Sequence, residues 1–250
     1  MGAEPRIVIE RDALHVAQTA AEWIVAWARQ AIDERGRFTI ALAGGSTPQA
    51  TYQQLASPPH RDGIDWSQVH VFWGDERCVP PDSADSNYGM AHEALLSRVP
   101  IPDRNVHRMQ GELPAERAAQ AYVEELRRFF GTPWPHFDLV LLGMGTDGHT
   151  ASLFPGSPVL DEGERCVVAV TADYQDRPVC RVTLTPVAIN AARVVMFLVT
   201  GQQKAAMVQQ ALEGPPGRLP AQRIQPDDGD LYWLLDAAAG SQLPWQNGMP

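Results

Sequence analysis

The sequence predicts an α/β protein built on a mainly parallel sheet with helices on both faces. Two observations carry this reading. Short apolar runs rich in β-branched residues alternate with longer stretches of helical periodicity, and several runs end in glycine-containing turns that open the next helix. The chain has 250 residues, 44% hydrophobic and 20% charged. That is an ordinary globular composition at a length such folds cover as one domain, so a single domain over 1–250 is expected.

The strand candidates, in order, are Arg6–Glu10, Phe38–Ala43, Val69–Trp73, Leu139–Leu142, Val167–Val170, Arg181–Leu184, Val194–Val199 and Leu231–Leu235. Ala13–Glu34 carries Leu14, Ala17, Ala21, Ile24, Val25, Ala28 and Ile32 at helical spacing, with Asp12 as N-cap. Pro114–Phe130 is a second amphipathic helix, with proline at its start and Ala118, Tyr122, Leu126 and Phe129 on one stripe. Pro/Gly clusters punctuate these elements without separating blocks of different composition, and Ser241–Pro250 reads as a frayed end.

A net charge of −10 opposes binding to nucleic acid or anionic membrane, both of which reward a basic surface. No apolar run approaches the roughly 20 residues of a membrane span, and Met1–Asp12 lacks the layout of a secretory signal. The expectation is a cytoplasmic protein with no membrane, nucleic-acid or obligatory protein partner. Cys78, Cys166 and Cys180 show no CxxC spacing and read as reduced thiols. Lys204 is the only lysine among cations otherwise written as arginine. It is either a chance survivor or a compact ammonium kept where a planar guanidinium would not fit.

Four segments carry chemistry. In the first, the strand ending at Ala43 meets Gly44, Gly45, Ser46, Thr47 and Pro48. Such a turn aims backbone N–H groups and two hydroxyls at a helix N-terminus, which suits a phosphate, although a plain N-cap has the same look. In the second, the strand Val69–Trp73 ends in Asp75, Glu76 and Arg77, at the carboxyl edge where ligands of parallel sheets sit. A solvated loop ion pair is the alternative, and Asp85–Gly89 reads as a helix start that braces this loop.

The third segment runs from Asp138 to Pro155. Its strand breaks at Gly143-Met-Gly145, and Asp147, Gly148 and His149 follow. An imidazole there, with a reference pKa near 6.5, supplies the free base that proton abstraction requires. Either Asp147 or Asp75 is available to orient it. His149 has no second His or Cys at metal-ligand spacing, so neither metal nor cofactor is expected. Ser152 offers a covalent alternative but sits in no GxSxG elbow. The fourth segment places Arg181 at the start of an apolar strand and Lys204 in the first turn of a helix after Thr200-Gly201. Both are candidate partners for an anionic ligand, or surface cations.

Taken in order, Leu42-Ala-Gly-Gly-Ser-Thr-Pro48, Gly74-Asp-Glu-Arg-Cys-Val-Pro-Pro81 with Asp85–Met90, and the run from Leu142 to Gly156 resemble the signatures of the 6-phosphogluconolactonase family. The likeness extends through Gly201–Lys204 to Trp233–Ala239, nearly the whole chain. The resemblance implies a modified Rossmann-like three-layer sandwich, shared with glucosamine-6-phosphate deaminases and sugar-phosphate isomerases. It also implies hydrolysis of 6-phospho-D-glucono-1,5-lactone, a small sugar-phosphate lactone, in the oxidative pentose phosphate pathway. Carried over by position, phosphate binding falls on Gly44, Gly45, Ser46, Thr47, Arg181 and Lys204. The general base falls on His149, with Asp147, Asp75 and Arg77 lining the site. The deaminases place a glutamate five positions after the histidine, where this chain has Phe154, which removes their ring-opening carboxylate. A sugar-phosphate sensor is the remaining alternative; the first strand at Arg6 leaves no room before it for the helix-turn-helix such sensors usually carry.

Overall fold

The computed structural model describes residues 4–172 and 178–244. Nine strands and six α-helices occur among them: β1 (Arg6–Glu10), α1 (Ala13–Arg35), β2 (Phe38–Leu42), α2 (Ser46–Leu55), β3 (Val69–Trp73), β4 (Asp75–Arg77), α3 (Asn87–Ala94), α4 (Ala115–Phe130), β5 (Leu139–Leu142), β6 (Val167–Thr171), β7 (Cys180–Leu184), α5 (Pro186–Asn190), β8 (Val194–Val199), α6 (Ala205–Glu213) and β9 (Asp230–Asp236). Local chemistry fixes their ends. The Asp12 carboxylate accepts from the His15 N–H to start α1, and Gly36, at φ 72°, closes it.

Six strands form one parallel sheet in the order β1-β9-β8-β5-β2-β3. Every residue of β2 and β5 is buried, as expected where helices cover both faces of a parallel sheet. Tyr232 of β9 packs on Trp23 and Trp27 of α1 at ring separations of 5.5 and 5.3 Å. Phe72, on the opposite face by strand parity, packs on Phe129 of α4 at 5.1 Å. The chain steps from β2 outward to edge strand β3, then returns to the other side of β2 and winds through β5, β8 and β9. The winding therefore reverses between β2 and β5, and parallel sheets bind ligands beyond the carboxyl ends of the strands at such a point.

Val167–Val170 and Arg181–Leu184, expected in the parallel sheet, lie instead in a separate antiparallel sheet ordered β4-β7-β6. The connection between them is too short for the helical crossover that parallel strands require. Asp75–Arg77, expected as a charged loop, forms the third strand of this sheet. Gly74 hands the chain over: its N–H bonds to the Leu42 carbonyl of the large sheet at 2.9 Å, and its carbonyl accepts from Leu184 of the small one at 2.8 Å. The fraying expected over Ser241–Pro250 does not hold at its start, where the Leu243 N–H donates to Gly240 at 2.9 Å and the side chain is buried; residues 245–250 lie outside the described residues. No described helix is long and apolar enough to cross a membrane.

Candidate active site

Three neighbouring strands, β2, β5 and β8, deliver the glycine-containing turns to one edge of the sheet. The end of β2 is braced from within. Tyr52, fully buried, donates its hydroxyl to the Ala43 carbonyl at 2.8 Å and accepts the Ala43 N–H at 2.9 Å. Gly44 follows, where a Cβ would fall 2.0 Å from Asn87 Oδ1, so only glycine fits against α3. Gly45 and Ser46 are exposed and Thr47 is half-buried at the N-terminus of α2.

The turn after β8 meets this one. Thr200 Oγ1 lies 2.8 Å from Thr47 Oγ1, and the following turn through Gly201 leads to Lys204 at the start of α6. Both oxygens of the buried Asp236, at the end of β9, accept the Gly201 N–H at 3.0 Å, and Oδ1 also accepts the Ala239 N–H at 2.7 Å. The turns that carry Gly44–Thr47 and Lys204 thus meet at the ends of β2 and β8, the strands on either side of β5, while Arg181 stands apart from them on β7.

The loop after β5 folds back on itself. The Gly145 N–H donates to the His149 carbonyl at 2.8 Å and the Gly148 N–H to the Gly145 carbonyl at 3.2 Å. His149 Nδ1 is 2.5 Å from Asp147 Oδ1. A carboxylate only accepts, so the Nδ1 proton points at Asp147, and in the neutral ring Nε2 carries the lone pair. The hydrogen bond from His149 holds the Asp147 carboxyl down to about 2, so it is ionised at neutral pH. Gly145 is required here: a Cβ would lie 2.1 Å from His149 Nδ1. The Phe154 ring sits 5.2 Å from the imidazole.

Of the two carboxylates available to orient His149, the one in contact is Asp147. Asp75 is 6% exposed, and its oxygens accept from Ser152 Oγ at 2.6 Å and from Asn87 Nδ2 at 3.2 Å. Ser152 is fully buried with its hydroxyl committed to Asp75, so it is a brace and not an attacking group. Arg77 and Arg181 are direct partners across β4 and β7. They share a sheet face with Asp75 and Thr183, the face turned towards Ser152. Arg77 also donates to the Asp85 carbonyl. Glu76 points away from them. Its carboxylate accepts from the N–H groups of Arg77, Asn87 and Tyr88 at 2.7–2.8 Å and from Ser86 Oγ at 3.0 Å, tying down the start of α3. Burial pushes its carboxyl up against those bonds.

The sequence reading assigned no role to Tyr52 or Asp236. For Asp236 a signal existed, an acidic residue ending an apolar strand. Tyr52 lies on the inner face of an amphipathic helix and looks like any core aromatic.

The family model for glucosamine-6-phosphate isomerases/6-phosphogluconolactonase matches residues 11–233. The chain is 46% identical over 220 residues to a 6-phosphogluconolactonase of Synechocystis sp., covering 86% of this chain and 88% of the relative. It is 44% identical over 211 residues to the Rattus norvegicus 6-phosphogluconolactonase, covering 84% and 82%. A solved 6-phosphogluconolactonase from Trypanosoma brucei superposes with a TM-score of 0.85 at 34% identity, covering 97% of this chain and all of that one. The chain belongs to the glucosamine-6-phosphate isomerase/6-phosphogluconolactonase family.

Proposed function

We propose that this protein is a 6-phosphogluconolactonase, hydrolysing 6-phospho-D-glucono-1,5-lactone to 6-phosphogluconate in the oxidative pentose phosphate pathway. The single observation that carries the mechanism is the 2.5 Å contact between Asp147 and His149, in the loop beside the gathered turns of β2 and β8.

In this reading the phosphate docks on the backbone and hydroxyls of Gly44–Thr47, with Lys204 and Arg181 supplying positive charge. The lactone carbonyl then lies by His149. Nε2 takes a proton from water as its oxygen attacks C1, and Asp147 stabilises the imidazolium that forms. Donors nearby, among them Arg77, meet the tetrahedral oxyanion. As the C1–O5 bond breaks, the imidazolium returns its proton to the ring oxygen, leaving an open-chain acid that ionises. A positioned base contributes roughly 10²- to 10⁴-fold, which suits an activated ester.

Phe154 argues against the deaminase alternative, because it places an aromatic ring over His149 where ring opening of an amino sugar needs a carboxylate. The test is a lactonase assay on freshly generated substrate, with correction for spontaneous opening and a chelator control. Chelator-resistant acceleration supports the proposal; ammonia release from glucosamine 6-phosphate in its place overturns it.

A further inference from the structure

The residues just after His149 form a tight turn, Thr150–Leu153, closed by the Leu153 N–H donating to the Thr150 carbonyl at 2.9 Å. Its second residue, Ala151, has φ 47° and is the only non-glycine among the described residues in the left-handed region. Turns that need a positive φ there take glycine or asparagine, since a Cβ crowds the following carbonyl. Such a conformation persists only where surrounding contacts over-determine it.

Three side-chain bonds do so. Thr150 Oγ1 donates to the Gly143 carbonyl at 2.8 Å, the Ser152 N–H to Thr183 Oγ1 at 3.3 Å, and Ser152 Oγ to Asp75 Oδ2 at 2.6 Å. The last is the shortest and joins two buried groups, Ser152 at 0% and Asp75 at 6% exposure. It also bridges two separate elements, the loop after β5 and strand β4. Asp75 in turn holds Asn87, whose side chain abuts Gly44.

We propose that Ser152 is a positioning residue for the lactonase reaction: its bond to Asp75 latches the strained Ala151 turn and thereby fixes where His149 stands. The inference rests on the lactonase reading above. Without the latch, Ala151 relaxes to negative φ, the turn reorganises, and the imidazole loses its line to the attacking water. The proposed phosphate-binding turns of β2 and β8 keep their shape, because Asn87, which abuts Gly44, is still held by the Asp75 backbone carbonyl at 2.9 Å.

Ser152→Ala is expected to lower kcat by about tenfold to a hundredfold, the scale of a misplaced catalytic group, with KM and 6-phosphogluconate affinity unchanged. Ala151→Gly removes the strain, so alone it leaves kcat near the wild-type value, and added to Ser152→Ala it restores most of the lost rate. Ala151→Val raises the strain with the Ser152–Asp75 pair intact, and lowers kcat at constant KM; it decides the matter if Ser152→Ala fails to fold. Wild-type kcat in Ser152→Ala, no recovery in the double variant, equal damage to kcat and product affinity, or, where only Ala151→Val folds, an unchanged kcat in that variant would overturn the latch. Loss of lactonase activity in the wild-type chain itself would instead overturn the reading on which it rests.

Discussion

The hydroxyls of Thr47 and Thr200 lie 2.8 Å apart although 153 positions separate them in the chain. The contact joins the turn after β2 to the turn that leads into Lys204, so the two halves of the proposed phosphate site are held at one spacing. Lys204→Ala is expected to lower kcat/KM for the phosphorylated lactone by about ten- to a hundredfold, the worth of a charge-assisted contact of about 1.5–3 kcal/mol. Hydrolysis of unphosphorylated gluconolactone, measured in parallel, should change little. Equal losses on both substrates would remove Lys204 from phosphate recognition.

His149→Ala removes the proposed base and should cost roughly 10²- to 10⁴-fold in kcat, with 6-phosphogluconate still binding by calorimetry. Gly145→Ala approaches the same residue from behind. Its new Cβ would sit 2.1 Å from Nδ1, displacing the ring from Asp147, and a loss of about a hundredfold in kcat is expected. Retained activity in Gly145→Ala would contradict the tight packing of that loop.

Acid should weaken the opposite end of the sheet. His70 Nδ1 lies 3.1 Å from His107 Nε2, and His107 Nδ1 lies 2.7 Å from Glu125. Burial pushes both imidazoles down to about 4, helped by His107, Arg37 and Arg104 near His70 and by Arg128 near His107. Since unfolded histidines titrate near 6.5, the unfolded chain binds more protons between those values. Stability is then complete above about pH 6.5 and falls as the pH drops towards 4. Urea midpoints recorded across that window should show this slope, and His70→Gln, which keeps a donor for His107, should reduce it to the part that His107 contributes.

Tyr52→Phe deletes one hydroxyl and strands two buried backbone groups at Ala43. An unfolding free energy lower by about 1–3 kcal/mol is expected, read from chemical denaturation. An unchanged midpoint would mean that solvent reaches the end of β2.

The large sheet was legible because its strands are buried on both faces and written almost wholly in apolar residues, as β2 and β5 show. The small sheet was not. β4 is three charged residues, and it becomes a strand only through pairing with β7, a partner more than a hundred positions away. The candidate base and its loop stood out because glycines flank Asp147, and each has a reason to be there: a Cβ at Gly145 would strike the His149 ring, and Gly148 has φ 81°. Which carboxylate faces His149 was undecidable from sequence, since Asp75 and Asp147 are distant in the chain and only tertiary packing hands Asp75 to Ser152. Ser152 itself reads as a nucleophile by residue type and as a brace once its burial is known.

Gly74 has one further consequence. Because it belongs to both sheets at once, the arginine-bearing wall cannot pivot independently of the floor formed by β2 and β3. The segment from Gly143 to Phe154 stands outside both ladders, and what holds the proposed base in place is a set of side-chain bonds together with the Ala221 N–H at the Gly148 carbonyl, 3.4 Å away.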